Sequence, residues 1–366
     1  MRETKTVTIT LTEECNLRCA YCYENNKSTK KIDVTLAKSI IDKELNNCSA
    51  STVMLEFFGG EPFLAFQEMK FLVEYVFSRE WPVRIMCSTC TNGTLVHGEI
   101  QEWLMKNRDR FFVGLSIDGN REMHNINRSN SFDCIDLDFF TKYSPGLTIK
   151  MTISPETLKT LADGVIFLHE KGFEVACNLA YGIDWSSGDN LDALKRELEK
   201  LITYYLEHPH IQPCSMLSMS IENVSKSEVA TVPKWCGCGT HMKAYDLNGN
   251  SYPCQFFLPL SMGKLKSEGS KELNILKDIP VDALGIKCLN CPFVRICPMC
   301  IGSNFKESGN PYMRNDNYCK YIRTIIYANS FFRWKQIKNG ALKLSDEKLK
   351  RVLEGIIITQ EFLKAC

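Results

Sequence analysis

Cys15-Asn16-Leu17-Arg18-Cys19-Ala20-Tyr21-Cys22 follows directly on the strand-like run Thr6–Leu11. Three thiolates from one short loop suffice to hold three irons of a [4Fe–4S] cube. The fourth iron is then left without a protein ligand, open to chelate a small molecule and supply it with an electron. Three unrelated thiols or a zinc knuckle are the competing interpretations. Zinc, however, prefers four ligands in paired C-x-x-C or Cys/His form, and this loop offers three.

The rest of the composition sets the frame. A chain of 366 residues with 44% apolar residues suffices for one large domain and a smaller one, each with its own core. A formal charge of +1 leaves no basic excess, so a nucleic-acid partner is not expected. No run of 18 apolar residues occurs and Met1-Arg2-Glu3-Thr4-Lys5 lacks a signal-peptide core, so no membrane partner and a cytoplasmic location are expected. Eighteen cysteines in such a chain indicate metal ligands rather than disulfides. Eight of them (Cys236, Cys238, Cys254, Cys288, Cys291, Cys297, Cys300 and Cys319) crowd into the last third or so. Cys48, Cys87, Cys90, Cys134, Cys177, Cys214 and Cys366 are scattered, as ordinary thiols are.

Strand-like and helical runs alternate up to about residue 207. Strands are expected at Thr6–Leu11, Val53–Phe57, Val83–Cys87, Phe111–Ile117, Thr148–Ile153 and Phe173–Leu179. Helical stripes lie between them, for example Leu36, Ile40, Ile41 and Leu45 behind Asp33 as N-cap. Six β-α units predict an α/β fold with a parallel sheet. Six are too few for the closed eight-unit barrel, so a partial (β/α)6 TIM-like barrel is expected, with its chemistry at the carboxyl ends of the strands. The expected domains are 1–207, the barrel; 208–235, a connector broken by His208-Pro209 and Gln212-Pro213; 236–325, a cysteine-rich module folded around metal; and 326–366, a helical tail.

The Cys-x3-Cys-x2-Cys spacing resembles that of the radical S-adenosylmethionine (AdoMet) enzymes, and further motifs follow strand ends in the matching order. After the second strand stands Phe58-Gly59-Gly60-Glu61-Pro62. Gly59 and Gly60 allow close approach of backbone to ligand, and the resemblance gives Glu61 the ammonium of the AdoMet methionine; alone, the four residues read as a turn. Asn92, in Thr91-Asn92-Gly93-Thr94, matches the family's turn after the third strand, or is a plain Asn-Gly turn. Ser116 and Arg128 are suited to the methionine carboxylate, since arginine matches that planar group. Asp118-Gly119 reads as turn geometry and His124 as a structural histidine. On the sixth strand, Asn178 and Leu179 point opposite ways, so one of them lines the cavity. The resemblance selects Leu179 as a neighbour of adenine and Tyr21 as a ring and backbone contact.

The later cysteines, Cys238-x10-Gly249-x4-Cys254, then Cys288-x2-Cys291-x5-Cys297-x2-Cys300 and Cys319, resemble the SPASM extension of peptide- and protein-modifying radical AdoMet enzymes. With Cys236 they are enough for two four-thiolate [4Fe–4S] clusters, making three with the N-terminal one. The family's pattern gives Cys236, Cys238, Cys254 and Cys300 to the inner cluster and Cys288, Cys291, Cys297 and Cys319 to the outer. Two residues separate Cys297 from Cys300 where the family has three, and Cys236-x-Cys238 is unusually tight. Cys288-x2-Cys291 and Cys297-x2-Cys300 also resemble a zinc ribbon.

The resemblance implies a maturase in which a 5′-deoxyadenosyl radical abstracts hydrogen from a peptide residue. Its expected partners are a precursor peptide or protein and a flavodoxin- or ferredoxin-type reductant. In the anaerobic sulfatase-maturating members, a carboxylate serves as base at the position of Gln255, and Gln255 cannot take a proton. Thioether or carbon–carbon cross-linking of a ribosomal peptide is therefore preferred to formylglycine formation, unless Asp246 substitutes. The barrel begins by residue 6, so leader recognition is expected elsewhere, on the SPASM module, a sheet edge or a separate protein. Epimerisation is a further option, with Cys177 the first choice as hydrogen donor among Cys87, Cys90, Cys134 and Cys177. A non-catalytic iron–sulfur protein is the reading from another class; it gives no reason for Gly60-Glu61, Ser116 and Arg128 to stand where they do.

Overall fold

The computed structural model describes residues 4–186, 188–224 and 229–364; Cys366 and Met1–Glu3, considered above, lie outside them. The elements begin with β1 (Thr4–Thr12), α1 (Val34–Asn46), β2 (Thr52–Gly59), α2 (Phe66–Phe77), β3 (Arg84–Thr91), α3 (Glu99–Asn107) and β4 (Phe111–Leu115). They continue with α4 (Arg121–Asn127), α5 (Leu137–Tyr143), β5 (Thr148–Ile153), α6 (Leu161–Glu170), β6 (Glu174–Leu179) and α7 (Asn190–Glu207). Then come β7 (Thr231–Pro233), β8 (Met242–Tyr245), β9 (Ser251–Tyr252), α8 (Pro259–Met262), α9 (Lys264–Ser270) and β10 (Asp278–Pro280). The last are α10 (Ile286–Leu289), α11 (Ile301–Ser308), α12 (Asp316–Lys338) and α13 (Asp346–Lys364).

All six expected strands are present. Only β3 runs well past its expected end, through Ser88-Thr89-Cys90-Thr91, whose small polar residues carry no apolar alternation. Asp33 caps α1 as expected, its carboxylate accepting from Leu36 N at 2.9 Å. The C-terminal region is two helices rather than the single one expected. Gly340, at φ +67°, ends α12, with Gly340 N donating to Ile337 O and Ala341 N to Gln336 O.

The chain divides into two compact units that do not follow chain order. The first runs through Ile117 and includes His124–Lys150 and Cys236–Leu276; the second holds Asp118–Met123, Met151–Trp235 and the chain from Lys277. In the first, a sheet has the order β4-β3-β2-β1-β8-β9. β1 to β4 pair in parallel, β8 adds parallel to the free edge of β1, and β9 returns antiparallel. Val7, Ile9, Leu11, Val53, Leu55, Phe57, Phe111 and Leu115 are fully buried on one face. The apolar stripes of α1 (Ile41, Leu45) and α2 (Met69, Leu72, Val73, Val76) are buried as well. The alternate residues, Thr8, Glu56, Ser88 and Phe112, lie opposite one another in register on the other face.

Glu44 of α1 joins that sheet electrostatically. Its buried carboxylate takes Lys5 Nζ at 2.5 Å, Lys243 Nζ at 3.1 Å and the Tyr245 hydroxyl, from β1 and β8. Burial pushes its pKa upward, but hydrogen bonds from Lys5, Tyr245 and Lys243 outweigh that and hold it at about 2. A depressed folded-state pKa means stability present above the ordinary value near 4.5 and lost as pH falls toward 2. Glu44→Gln is therefore expected to cost about 3 kcal/mol at pH 7. The gap between wild type and variant in urea unfolding should shrink steadily below pH 5; a pH-independent gap would refute this account.

β5, of which Met151–Ile153 belong to the second unit, pairs with β6, and in that unit β7 pairs antiparallel with β10. Asp118 is fully buried and accepts from Thr152 N at 2.8 Å, the turn role expected of it. α12 packs along α7 and α13. It is tied down by Tyr321 donating to Trp185 O at 2.5 Å and by Asn329, which donates to Met216 O at 2.6 Å and accepts from Met219 N at 2.8 Å.

Candidate active site

The cysteine loop leaves the end of β1 and is fixed by backbone on both sides. Ala20 N donates to Asn127 O at 2.9 Å, Arg18 N to Ser129 Oγ at 2.9 Å, and Asn16 Nδ2 to Thr94 Oγ1 at 2.8 Å. Gly60 N reaches Thr12 O at 3.2 Å, and Glu61 N reaches Glu14 O at 2.8 Å. The approach is so close that a Cβ at Gly60 would lie 2.5 Å from Glu14 O and 2.8 Å from Cys15 Cβ. Cys15, Cys19 and Cys22 are half-buried, and the Lys27 ammonium faces all three. Burial lowers the pKa of Lys27, but the three sulfurs and Glu24 outweigh that and raise it. Burial raises the thiols of Cys15 and Cys22. Three thiols on one glycine-backed loop, with a cation beside them, fit a [4Fe–4S] cube with one iron free of protein ligands.

Glu61 is 1% exposed. Its Oε1 accepts from Thr91 Oγ1 at 2.7 Å and Phe63 N at 3.1 Å, and its Oε2 accepts from Asn92 N at 2.8 Å. One acceptor position on Oε2 is thus left by these bonds. Burial raises the Glu61 pKa, and the Asn92, Thr91 and Phe63 donors and the Arg128 charge oppose that. Arg128 lies 5.5 Å above the Tyr21 ring centroid. It is held by a turn in which Ser129 and Asn130 both take left-handed backbone, φ 56° and 55°. Each costs a non-glycine residue on the order of 1 kcal/mol. This left-handed turn directly follows an arginine that faces a carboxylate and a ring. His124, fully buried, bonds Ser131 Oγ through Nε2 at 3.0 Å, the structural role expected.

Asn92 is engaged within the protein. Its Nδ2 donates to Asn16 Oδ1 at 2.9 Å, and its Oδ1 accepts from Thr94 N at 3.0 Å and Thr94 Oγ1 at 2.7 Å. It locks the turn after β3 onto the cysteine loop. Ser116 Oγ lies 3.4 Å from Cys90 Sγ, and Lys150 hydrogen-bonds that thiol and senses the charge of Glu56. Glu24, 8% exposed, is pushed by burial to a pKa of about 8, with Lys27 opposing and Glu61 adding to the rise. Lys27, Glu24, Glu56 and Lys150 were not found in the sequence; only the closeness of Glu24 and Lys27 to Cys22 hinted at two of them.

On β6, Cys177 and Leu179 share one buried face, and Asn178 is exposed on the other. Cys177 hydrogen-bonds Cys214, whose N–H donates to the Tyr205 hydroxyl at 2.9 Å, and that hydroxyl bonds His169 Nε2 at 2.8 Å. Leu179, 2% exposed, offers its carbonyl to Tyr318 at 3.2 Å. Asp246 is saturated by Asn248 N, Asn250 N, Asn250 Nδ2 and the Tyr252 hydroxyl at 2.8–3.2 Å, so it is a turn residue and no free base. Gln255 has a buried Oε1 with no protein partner, beside a Phe256 ring stacked 4.6 Å from Tyr23.

Of the later cysteines, Cys236, Cys238 and Cys254 belong to the first unit. A hydrogen bond from Cys238 lowers the Cys254 pKa against burial. Cys236 is exposed. In the second unit Cys288, Cys291, Cys297 and Cys319 sense one another's charge, and burial lifts Cys297 to about 12. These four and Cys300 line a cavity of about 290 Å³. Among the described residues, no three His, Cys, Asp or Glu side chains converge on a point that would hold a single metal ion. No helix of the described residues is long and apolar enough to cross a membrane.

Residues 5–134 match the model of a 4Fe-4S single cluster domain. The cysteine-type anaerobic sulfatase-maturating enzyme of Clostridium novyi is 23% identical over 355 residues, covering 86% of this chain and 92% of its own. An uncharacterized protein of Methanocaldococcus jannaschii, MJ0907, is 31% identical over 200 residues, covering 53% of this chain and 65% of its own. Among solved structures, native anSMEcpe with bound AdoMet and Kp18Cys peptide superposes with a TM-score of 0.68 at 20% identity, covering 92% of this chain and 100% of that one. Streptococcus suis SuiB bound to precursor peptide SuiA gives 0.57 at 17% identity, covering 86% and 75%. At those identities the structures speak for the fold alone, a mixed α/β fold with a parallel sheet and a cysteine-rich C-terminal region. The cysteine loop, the Gly60-Glu61 turn built onto it and the full-length relatives agree: this chain carries a 4Fe-4S single cluster domain and is similar along most of its length to anaerobic sulfatase-maturating enzymes.

Proposed function

We propose that the protein modifies a peptide or protein substrate by radical chemistry, binding AdoMet and three [4Fe–4S] clusters, and that its product is a thioether or carbon–carbon cross-link in a ribosomal precursor peptide. Cys15, Cys19 and Cys22 would hold the first cluster. Cys236, Cys238 and Cys254 would serve the second, and Cys288, Cys291, Cys297 and Cys319 would hold the third. With AdoMet bound, the first cluster supplies a 5′-deoxyadenosyl radical able to take a hydrogen atom from an unactivated carbon.

The chain's own residues provide position and charge. Oε2 of Glu61 has room for the AdoMet ammonium, and Arg128 and Ser116 suit its carboxylate. Tyr21, pinned beneath Arg128, offers a face for the adenine, and the backbone at Gly59 and Gly60 admits the ligand to the cysteine loop. Burial of Glu61 and Arg128 keeps water from these charges and strengthens them.

The observation that carries the cross-linking reading is Gln255 beside Cys254. An amide there accepts a hydrogen bond and no proton, and Asp246 is committed to its turn. Sulfatase maturation is the second reading, favoured by the match along 92% of the C. novyi enzyme. Anaerobic reconstitution with AdoMet, dithionite and the Kp18Cys peptide separates them. Turnover to 5′-deoxyadenosine without formylglycine in the peptide is expected; formylglycine would establish the second reading.

A further inference from the structure

The second unit carries a groove of about 1,070 Å³ between α7, α12 and α13, apart from the residues assigned to AdoMet. Its apolar floor includes Leu198, Ile202 and Phe331. Lys195, Lys287, Lys320, Arg323 and Lys364 also line it, against a single acid, Glu199. That is a local excess of four positive charges on a chain whose net charge is only +1. Lys195 shares its charge with Asp192 at 2.9 Å, which lessens the excess. The guanidinium of Arg323 lies 5.0 Å from the Phe362 ring centroid, and its Nε is buried without a partner.

The wall of the groove gives it meaning. Cys319, Lys287 and Arg323 line both this groove and the 290 Å³ cavity of Cys288, Cys291, Cys297 and Cys300. The groove therefore meets the cysteine cluster across one thiol and two cations. A surface that is basic at its rim, apolar at its floor and one side chain away from a cavity lined by cysteines suits an acidic protein that exchanges electrons.

We propose that this groove docks an acidic one-electron carrier of the flavodoxin class. The inference rests on the reading of the Cys288–Cys319 group as a cluster site. The docked step is transfer of a single electron from the reduced carrier to that site, with no bond made or broken. Basic residues set the approach and its salt dependence, and the floor buries an apolar patch at the carrier's acidic edge.

The test uses reconstituted enzyme and a flavodoxin, with affinity read from flavin fluorescence anisotropy at 20 and 300 mM NaCl. Lys195→Glu/Lys364→Glu is expected to weaken binding on the order of ten-fold at low salt, and high salt should erase the difference. Glu199→Lys should tighten binding, a gain that misfolding does not produce. Lys343→Glu/Lys350→Glu carries the same charge change outside the groove and should leave affinity within two-fold or so. Dithionite-driven 5′-deoxyadenosine formation should be unchanged in every variant, while flavodoxin-driven formation follows affinity. Equal weakening by both double variants, or no response to Glu199→Lys, overturns the docking site. Loss of Kp18Cys binding with flavodoxin unaffected would assign the groove to substrate and overturn it too. Failure of the dithionite reaction in wild type would instead condemn the underlying enzyme reading.

Discussion

Replacing Cys15, Cys19 and Cys22 together by alanine will abolish 5′-deoxyadenosine formation and remove iron from the N-terminal loop. Iron held by the later cysteines should stay. The thiols are half-buried, and the loop is anchored by Ala20 N, Arg18 N and Asn16 Nδ2 rather than by sulfur. The fold should therefore survive, with far-ultraviolet circular dichroism unchanged. Iron analysis, electron paramagnetic resonance of the reduced protein and chromatography of the nucleoside product make the comparison. Residual product above the level of free iron and sulfide would falsify the assignment of the cluster to this trio. Zinc in place of iron in wild type would do the same.

A valine at position 60 will be nearly as damaging, for a steric reason. The Cβ alone would sit 2.5 Å from Glu14 O and 2.7 Å from Glu14 C, backbone that has no rotamer to give way. Relief requires parting Gly60 N from Thr12 O or Glu61 N from Glu14 O, the two bonds that hold the cysteine loop to the carboxyl end of β2. A loss of about 3 kcal/mol or more in unfolding free energy is expected. Iron retention in the N-terminal loop should fall with it. Gly269→Ala is the matched control: nothing lies within 4 Å of its Cβ, and it sits in a helix. Its effect should stay within about 0.5 kcal/mol and favour stability. Normal cluster loading in Gly60→Val would show that the loop tolerates displacement and that the contact is incidental.

The sequence disclosed what is local. Alternation along a strand, a capping aspartate and a three-cysteine loop are properties of neighbours in the chain, and β1 to β6 and Asp33 appear where those patterns place them. What it concealed depends on register. Thr8, Glu56, Ser88 and Phe112 share a row because four strands are aligned to the residue, which no single strand announces. Lys150 reaches Cys90 through the fold alone. Asn92 reads as half of an Asn-Gly turn; its bond to Asn16 becomes visible only once the two loops meet. Helix number at the C-terminus was hidden for a different reason. Asn339-Gly340 is a strong stop, yet the apolar residues on either side continue as though nothing intervened.

The pairing of β8 with β1 has a consequence for how this molecule is born on the ribosome. Thr6 to Ile9 bond to Met242 to Tyr245, so β1 waits for a strand made more than two hundred residues later. Until then one side of β1 is a bare row of amide and carbonyl groups, open to any other nascent strand. Such a late closure slows assembly and lengthens the exposure to aggregation. Low temperature and slow synthesis should accordingly favour intact protein, and the early half of the chain made by itself should recruit chaperones or precipitate.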